Sequence, residues 1–186
     1  MRIIAGKARG RLIKSPKGMF VRPTSDKVKE SLFNIIAPYI IDCVFLDLFA
    51  GSGSIGIEAI SRGATKTVFV EKSGYCIKVL KENLNCLGFL DRAQVIKKDV
   101  ELAIKELSKI NMDFDIVFMD PPYKKNIVPR MLEKLSNYKL VKQNGIVVAE
   151  HSLDTILPET LGDLKKIRYK KYGKTVLTFF GRDDAK

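Results

Sequence analysis

The 186-residue chain has little of the chemistry on which metal-dependent and disulfide-rich proteins rely. It has a single histidine, His151, and three cysteines, Cys43, Cys76 and Cys86, without C-x-x-C spacing. An odd number of cysteines at such spacings predicts neither a disulfide framework nor a zinc site. One histidine cannot build a multi-histidine metal centre, so we expect no metal and interpret His151 as a structural residue.

Long apolar runs are also missing. No run approaches the ~20 residues that a membrane-spanning helix needs, and the first residues, MRIIAGKARGRL, lack the apolar core of a signal peptide. We therefore expect a cytoplasmic protein. Acidic residues are too few to balance the basic ones, 21 against 33, which leaves a net charge of +12. This excess points to a polyanionic partner, either nucleic acid or an anionic membrane.

Strand and helix patterns alternate through most of the chain. Apolar strand patterns are followed by helical ones, and the chain ends in a hairpin pattern around KYGK; the seven predicted strands are 44–49, 67–71, 93–98, 115–120, 145–150, 163–172 and 175–180. Such alternation predicts an α/β, Rossmann-like fold with a mostly parallel seven-stranded sheet and helices on both faces. Ligands of such sheets bind beyond the carboxyl ends of the strands.

The N-terminal residues differ in character from this core. Two short strand patterns at 2–5 and 11–14 surround GKARG and predict a small basic β-hairpin. A helix then begins near Thr24 or Ser25, either of which can cap it. We predict a hairpin appendage over residues 1–22 and the main domain over residues 23–186.

The loop after the first core strand, DLFAGSGSIG (47–56), carries a G-x-G-x-x-G pattern at Gly51, Gly53 and Gly56. Alone, this pattern would suit a nicotinamide cofactor equally well, or only a tight turn. Asp47 argues against a nicotinamide dinucleotide, because a carboxylate before the loop would repel a pyrophosphate bound at the helix N-terminus. S-adenosylmethionine has no phosphate and carries an ammonium and a sulfonium group. Asp47 therefore favours S-adenosylmethionine.

Acidic residues at the next two strand ends fit the same cofactor. Glu71 can accept both ribose hydroxyls, and Asp99 can accept the adenine amino group, although Asp99 serves equally well as a helix cap. The cofactor site predicted from these loops consists of Asp47, Ala50, Gly51, Ser52, Gly53, Glu71, Lys72, Asp99 and Val100.

The fourth strand pattern ends in the tetrapeptide Asp120-Pro121-Pro122-Tyr123. A proline disfavours helical geometry in the residue before it, and prolines offer carbonyls without N–H donors. The tetrapeptide therefore forms a stiff set of acceptors, with the Tyr123 ring available for stacking. The complement of such a set is a flat group with two N–H donors, as in the exocyclic amine of a nucleobase. We predict that Asp120, Pro121, Pro122 and Tyr123 form the catalytic site.

The motifs together resemble those of a known family. DPPY with a glycine loop is shared by amino-methyltransferases that act on nucleic acid bases. MRIIAGKARGRL, RPTSDKVKESLFNII, FLDLFAGSGSIGIEAISRGA and FMDPPY, in this order, resemble the RsmD family. The resemblance implies a class I methyltransferase fold and methylation of a guanine exocyclic amine in 16S ribosomal RNA. It also implies that the Arg22-Pro23-Thr24 turn lies near the cofactor and substrate, with Thr24 at the cofactor.

Two basic runs agree with an RNA substrate. Residues 1–30 hold nine basic side chains against two acidic ones, and we predict that Lys7, Arg9, Arg11 and Arg22 contact RNA phosphates. Residues 165–174 hold six basic side chains and no acidic one. For this second run we favour a solvated face or lysines that protect a sheet edge. The expected partner is 16S ribosomal RNA, naked or in an assembling small subunit, with no membrane partner, and the expected state is a monomer.

Two alternatives remain open on the sequence. A DNA amino-methyltransferase would use the same tetrapeptide, although the chain has no length for the target-recognition domain that such enzymes usually carry. A non-catalytic RNA-binding protein with a vestigial cofactor pocket would keep the basic hairpin. Intact Asp47, Gly51, Gly53 and Asp120 argue against the second alternative.

Overall fold

A computed structural model of the chain describes residues 1–16, 25–122 and 126–182. The helices are α1 (Asp26–Ile35), α2 (Ala37–Ile40), α3 (Ser54–Arg62), α4 (Gly74–Leu87), α5 (Val100–Lys109) and α6 (Ile127–Asn137), with a 3₁₀ turn at Leu90–Arg92. The strands are β1 (Val44–Leu48), β2 (Lys66–Glu71), β3 (Ala93–Lys97), β4 (Phe114–Met119), β5 (Val141–Ser152), β6 (Thr160–Leu161), β7 (Leu164–Tyr172) and β8 (Thr175–Arg182).

One eight-stranded sheet organises the described part of the chain, in the order β3-β2-β1-β4-β5-β8-β7-β6. The first five strands are parallel, whereas β8 pairs antiparallel with β5, and β7 pairs antiparallel with β8. The carboxyl ends of β1, β2 and β4 therefore lie at one edge, as the alternating pattern predicted. The Rossmann-like α/β class is confirmed.

Helices cover both faces of the sheet. On one face, α1, α2 and part of α3 pack on β1, β4, β5 and β8 through a cluster that includes Phe33, Phe45 and Phe179. On the other face, α5 and α6 pack on the same central strands around Ile104, Met119 and Leu132. Central strands buried on both sides explain their nearly continuous apolar sequences.

Local signals set several helix ends. Ser25 caps α1 through its hydroxyl, which accepts a hydrogen bond from the N–H of Val28. Gly63 and Gly88 end α3 and α4 in the left-handed conformation that glycine adopts most easily.

The sheet has one strand more than the seven predicted. The extra strand, β6, has only two residues and pairs with the start of β7 through Leu161 and Leu164. A two-residue strand has no periodicity that a sequence pattern could reveal.

The N-terminal hairpin is less regular than the two predicted strands. Its only bridge among residues 1–16 is Arg2 with Leu12. The N–H groups of Ile4 and Ala5 donate instead to the carboxylate of Glu58, at 2.8 and 3.0 Å. These N–H groups therefore bind a side chain of α3 instead of pairing with a second strand, and the segment packs on the core. The proposed boundary between residues 22 and 23 lies outside the described residues and stays a prediction.

Candidate active site

A cleft opens at the carboxyl edge of the sheet, where β1 and β4 end side by side. Asp47 of β1 is in register with Phe118 of β4, two residues before Asp120. The cleft is lined by Met1, Ser15, Pro16, Asp47, Phe49, Ala50, Gly51, Ser52, Ser54, Ile55, Cys76, Phe118 and Asp120. The fold thus brings together the two carboxylates and the glycine loop that the sequence singled out.

Asp47 is the most deeply placed carboxylate of the cleft, with 1% of its surface exposed. One carboxylate oxygen accepts a hydrogen bond from the N–H of Gly56, at 2.9 Å. Burial raises the pKa of Asp47 to about 7; the Gly56 N–H favours the charged form, and nearby Glu71 opposes it. A cationic group entering the cleft would offset this desolvation and stabilise the ionised form.

The glycine loop leaves room above its backbone. Gly51 has a φ of +55°, and an added Cβ would meet nothing within 4 Å. Gly53 also has a positive φ, but a Cβ there would lie 2.2 Å from the Leu80 side chain, so its role is close packing. Phe49 adopts a φ of +64° beside the cleft, a strained conformation that is typical of functional loops.

Glu71 holds the loop in this shape. Its two carboxylate oxygens accept hydrogen bonds from the N–H of Gly51, at 2.9 Å, and from the N–H of Ser73, at 2.8 Å. Carboxylate oxygens can accept more than one hydrogen bond. Glu71 therefore keeps acceptor capacity for hydroxyl groups while it positions Gly51.

Asp120 follows β4 and is partly exposed to the cleft. Its pKa is raised well above that of an ordinary aspartate, first by burial and then by the charges of Glu150 and Asp47. Pro121 is buried and Pro122 is exposed. The predicted stacking residue, Tyr123, lies outside the described residues.

The other predicted cofactor residues are less closely tied to the cleft. Asp99 is exposed and caps α5 by accepting a hydrogen bond from the N–H of Glu101 at 3.0 Å. Lys72 is exposed and Val100 is buried. Asp99, Lys72 and Val100 are not among the residues that line the cleft. Thr24 lies outside the described residues, and the roles of all four stay predictions.

The predicted RNA contacts of the N-terminal segment are exposed at Lys7, Arg9 and Arg11. The guanidinium of Arg11 donates to the backbone carbonyl of Cys86 at 3.0 Å, so this side chain also anchors the segment. Arg22 lies outside the described residues. RNA contact by these residues remains a prediction.

A buried ionic cluster attaches the N-terminal segment to α3, and sequence reasoning missed it. Glu58 is fully buried and lies 2.8 Å from Arg62 and 3.4 Å from Lys29. The ammonium of Lys29, which is 1% exposed, donates to the carbonyl of Arg2 at 2.6 Å. Burial lowers the pKa of Lys29, and the neighbouring Glu58 opposes this shift. A single acid inside the apolar stretch SIGIEAIS was the available signal.

Asn83 of α4 makes a second attachment, which no local pattern could have revealed. Its side-chain oxygen accepts from the N–H of Lys14 at 2.8 Å, and its NH₂ group donates to the carbonyls of Lys14 and Ser52 at 3.0 and 3.1 Å. One buried side chain thereby joins the N-terminal segment to the glycine loop. This attachment explains how Ser15 and Pro16 come to line the cleft.

Within residues 1–16, 25–122 and 126–182, no group of three or more His, Cys, Asp or Glu side chains could hold a metal ion. In the same described ranges, no helix is both long and apolar enough to span a bilayer.

The family model described as "Conserved hypothetical protein 95" matches residues 1–181. The chain belongs to this family. A Bacillus subtilis protein, YlbH, provisionally named an rRNA methyltransferase, is 42% identical over 180 residues, which cover 97% of this chain and 98% of that protein. Ribosomal RNA small subunit methyltransferase D of Haemophilus influenzae is 38% identical over 169 residues, covering 89% and 87% of the two chains. These relatives confirm the predicted resemblance to the RsmD family.

A solved structure agrees over the full length. The chain named yhhF from Escherichia coli, provisionally titled a methyltransferase, superposes with a TM-score of 0.89 at 30% identity. The match covers 100% of this chain and 99% of that one. The family and the fold are therefore established together.

Proposed function

We propose that this protein transfers a methyl group from S-adenosylmethionine to the exocyclic amine of a guanine in small-subunit ribosomal RNA. The observation that carries the proposal is that Asp47, Gly51 and Asp120 line one cleft, in which an added Cβ at Gly51 would meet nothing within 4 Å. The name of the Bacillus subtilis relative supports ribosomal RNA as the substrate, and that of the Haemophilus influenzae relative supports RNA of the small subunit.

The residues of the cleft suit S-adenosylmethionine, which when bound supplies an electrophilic methyl group. Buried Asp47 matches a cationic ligand, because ion pairing would compensate its desolvation. Gly51 leaves space for a ligand against the backbone, and Glu71 keeps acceptor capacity for ribose hydroxyls. A pyrophosphate would bring negative charge toward Asp47 and Glu71, which argues against a dinucleotide.

Asp120 and Pro121 suit the nucleophile. The lone pair of an aromatic amine is delocalised into its ring, so the nitrogen is a poor nucleophile. Two acceptors, the Asp120 carboxylate and a proline carbonyl, would hold the two N–H groups and direct the lone pair toward the methyl group. The raised pKa of Asp120 also makes it a better proton acceptor than an ordinary aspartate. Asp120 therefore orients the amine and can receive the proton that the amine releases.

RNA contact fits the charge of the whole chain, since its 33 basic side chains outnumber its 21 acidic ones. We further propose that the protein acts in the cytoplasm as a monomer. Its substrate would be 16S ribosomal RNA, naked or within an assembling small subunit, contacted by the N-terminal segment.

The test is methyl transfer from labelled S-adenosylmethionine to three substrates isolated from cells that lack the gene: small-subunit RNA, small ribosomal subunits and genomic DNA. We expect label in RNA or subunits, and mass spectrometry should locate it on the exocyclic amine of one guanine. Label in DNA alone would indicate the amino-methyltransferase alternative. Absence of transfer to all three, with intact cofactor binding, would contradict the proposed activity.

A further inference from the structure

A second concave surface lies away from the catalytic cleft, between α1 and β7. It is lined by Lys27, Glu30, Ser31, Asn34, Ile35, Arg168 and Lys170. We call it the α1–β7 groove. It joins the two basic runs of the sequence, which are more than a hundred residues apart along the chain.

Sheet geometry explains why the cations of β7 face α1. In an antiparallel pair, residues directly opposite each other share a face of the sheet. Arg168 is opposite Phe179 and Lys170 is opposite Leu177, and both of these partners belong to the core cluster beneath α1. Arg168 and Lys170 therefore lie on the helix side.

Tyr172 ties the two walls of the groove together. Its hydroxyl is hydrogen-bonded to the hydroxyl of Ser31 on α1, and the ammonium of Lys170 lies 5.8 Å from the centre of its ring. These contacts hold the C-terminal end of β7 against α1. The cations are thus presented on a supported surface rather than on a loop.

The groove carries a net positive charge. Lys27, Arg168 and Lys170 are all exposed, and none of them forms an ion pair with another residue in the described ranges. Glu30 is the single acid among the lining residues, which leaves +2 from three cations and one anion. Lys14, by contrast, is exposed and is paired with Glu82.

The strand register places one end of the α1–β7 groove toward the sheet edge that holds the cleft, the edge formed by the carboxyl ends of β1, β2 and β4. Thr175 of β8 is opposite both Ser152, at the carboxyl end of β5, and Tyr172, at the end of β7. Because β5 is parallel to β4, Tyr172 lies toward the sheet edge at which Asp120 stands. Of the two cations on β7, Lys170 is therefore nearer this edge than Arg168.

Protection of the open β7 edge explains only part of this arrangement. Lysines on an exposed strand discourage pairing with other chains, but Lys27 is on a helix and contributes nothing to such protection. Its position across the groove from Arg168 and Lys170 requires a reason of its own. Three unpaired cations along a groove match the spaced phosphates of a nucleic acid backbone.

We propose that the α1–β7 groove binds the phosphate backbone of the RNA substrate, outside the nucleotide that enters the cleft. This inference rests on the proposed function, since it names a further contact surface for the same substrate. The groove would position the RNA without reading its sequence.

The test is a triple variant, Lys27→Gln/Arg168→Gln/Lys170→Gln. Its control, Lys105→Gln/Lys109→Gln/Lys139→Gln, removes the same charge from three exposed lysines outside both surfaces. Binding to small-subunit RNA and to small subunits from cells lacking the gene is measured between 50 and 200 mM salt. We expect the groove variant to lose roughly tenfold to hundredfold in RNA affinity and its salt slope to fall by up to ~0.7–0.9 per lost contact.

Further readouts separate this inference from the proposed activity. The groove variant should bind S-adenosylhomocysteine as the wild type does, and saturating RNA should restore much of its methyl transfer. Equal RNA affinity and equal salt slopes for the groove and control variants would overturn the inference, even if the wild type methylates RNA. Loss of binding to subunits but not to naked RNA would also overturn it, because the partner would then be a ribosomal protein. Failure of the wild type itself to methylate RNA would instead count against the proposed function.

Discussion

Replacing Gly51 with alanine has two expected effects: it strains a backbone with a positive φ, and it fills space that a ligand would occupy. A second glycine, Gly88, allows the two effects to be measured separately. Gly51 has a φ of +55° and Gly88, at the end of α4, has a φ of +70°; an added Cβ meets nothing within 4 Å at either position. Each alanine should therefore destabilise the protein by a similar amount, roughly 1–2 kcal/mol, from left-handed backbone strain alone. Gly88→Ala is thus the matched control.

Only at Gly51 should the methyl group also meet a cofactor. Forcing a methyl group into an occupied, well-packed site costs typically ~1–3 kcal/mol, which corresponds to a roughly 5- to 150-fold weaker affinity. We expect Gly51→Ala to bind S-adenosylhomocysteine correspondingly less tightly, and Gly88→Ala to bind it as the wild type does.

Calorimetric titration supplies the affinities, and urea unfolding of the free proteins supplies the stabilities. Equal affinities for the two variants, with equal stabilities, would refute the placement of the cofactor over Gly51. If Gly51→Ala were far less stable than Gly88→Ala, the alanine would disturb the loop by more than backbone strain. The two cofactor affinities could then not be compared as a test of ligand space, and the assumption of matched strain would be wrong.

Three other perturbations address the acids of the cleft and the attachment of the N-terminal segment. Asp120→Ala should slow single-turnover methyl transfer by ~10²–10⁴-fold and Asp120→Asn by less, because asparagine keeps one acceptor; cofactor binding should be largely kept, and wild-type turnover of Asp120→Ala would refute its role. Asp47, with its pKa raised to about 7 against ~4 when unfolded, keeps a proton in the folded protein between these values. The free protein should therefore lose stability in urea as pH rises from about 4 to 7, and less so for Asp47→Asn; parallel pH profiles would contradict this. Asn83→Leu should destabilise the protein by ~1–3 kcal/mol, since it leaves the buried carbonyl of Ser52 and two partly buried backbone groups of Lys14 without this partner. Lys14→Ala, which loses only the exposed pair with Glu82, should leave urea unfolding nearly unchanged, and equal losses for both variants would exclude the proposed attachment.

Much of the parallel core was predictable because its signals are local. Apolar runs marked β1 to β5, Thr24 or Ser25 marked the start of α1, and Gly63 and Gly88 lie where α3 and α4 end. Parallel strands then bring their carboxyl ends to one edge, so Asp47 and Asp120 could be expected in one cleft from the sequence alone.

Contacts between distant segments were not predictable in this way. The sequence predicted a basic β-hairpin appendage, but the backbone N–H groups of Ile4 and Ala5 donate to Glu58, more than fifty residues away. Asn83 looks like an ordinary helical residue, and only packing shows that it joins Lys14 to Ser52.

The amino-acid sequence by itself determined the family, the alternation of elements and the acids that stand at the ends of β1, β2 and β4, because each signal lies within one strand or loop. The tertiary structure decided how the N-terminal segment is attached and that Lys27 faces Arg168 and Lys170 across one groove. Such pairings arise when helices and strands pack on a shared core, and the cores that bring α1 to β8 and β7 form between residues more than a hundred positions apart. No periodicity within a short window can encode that separation.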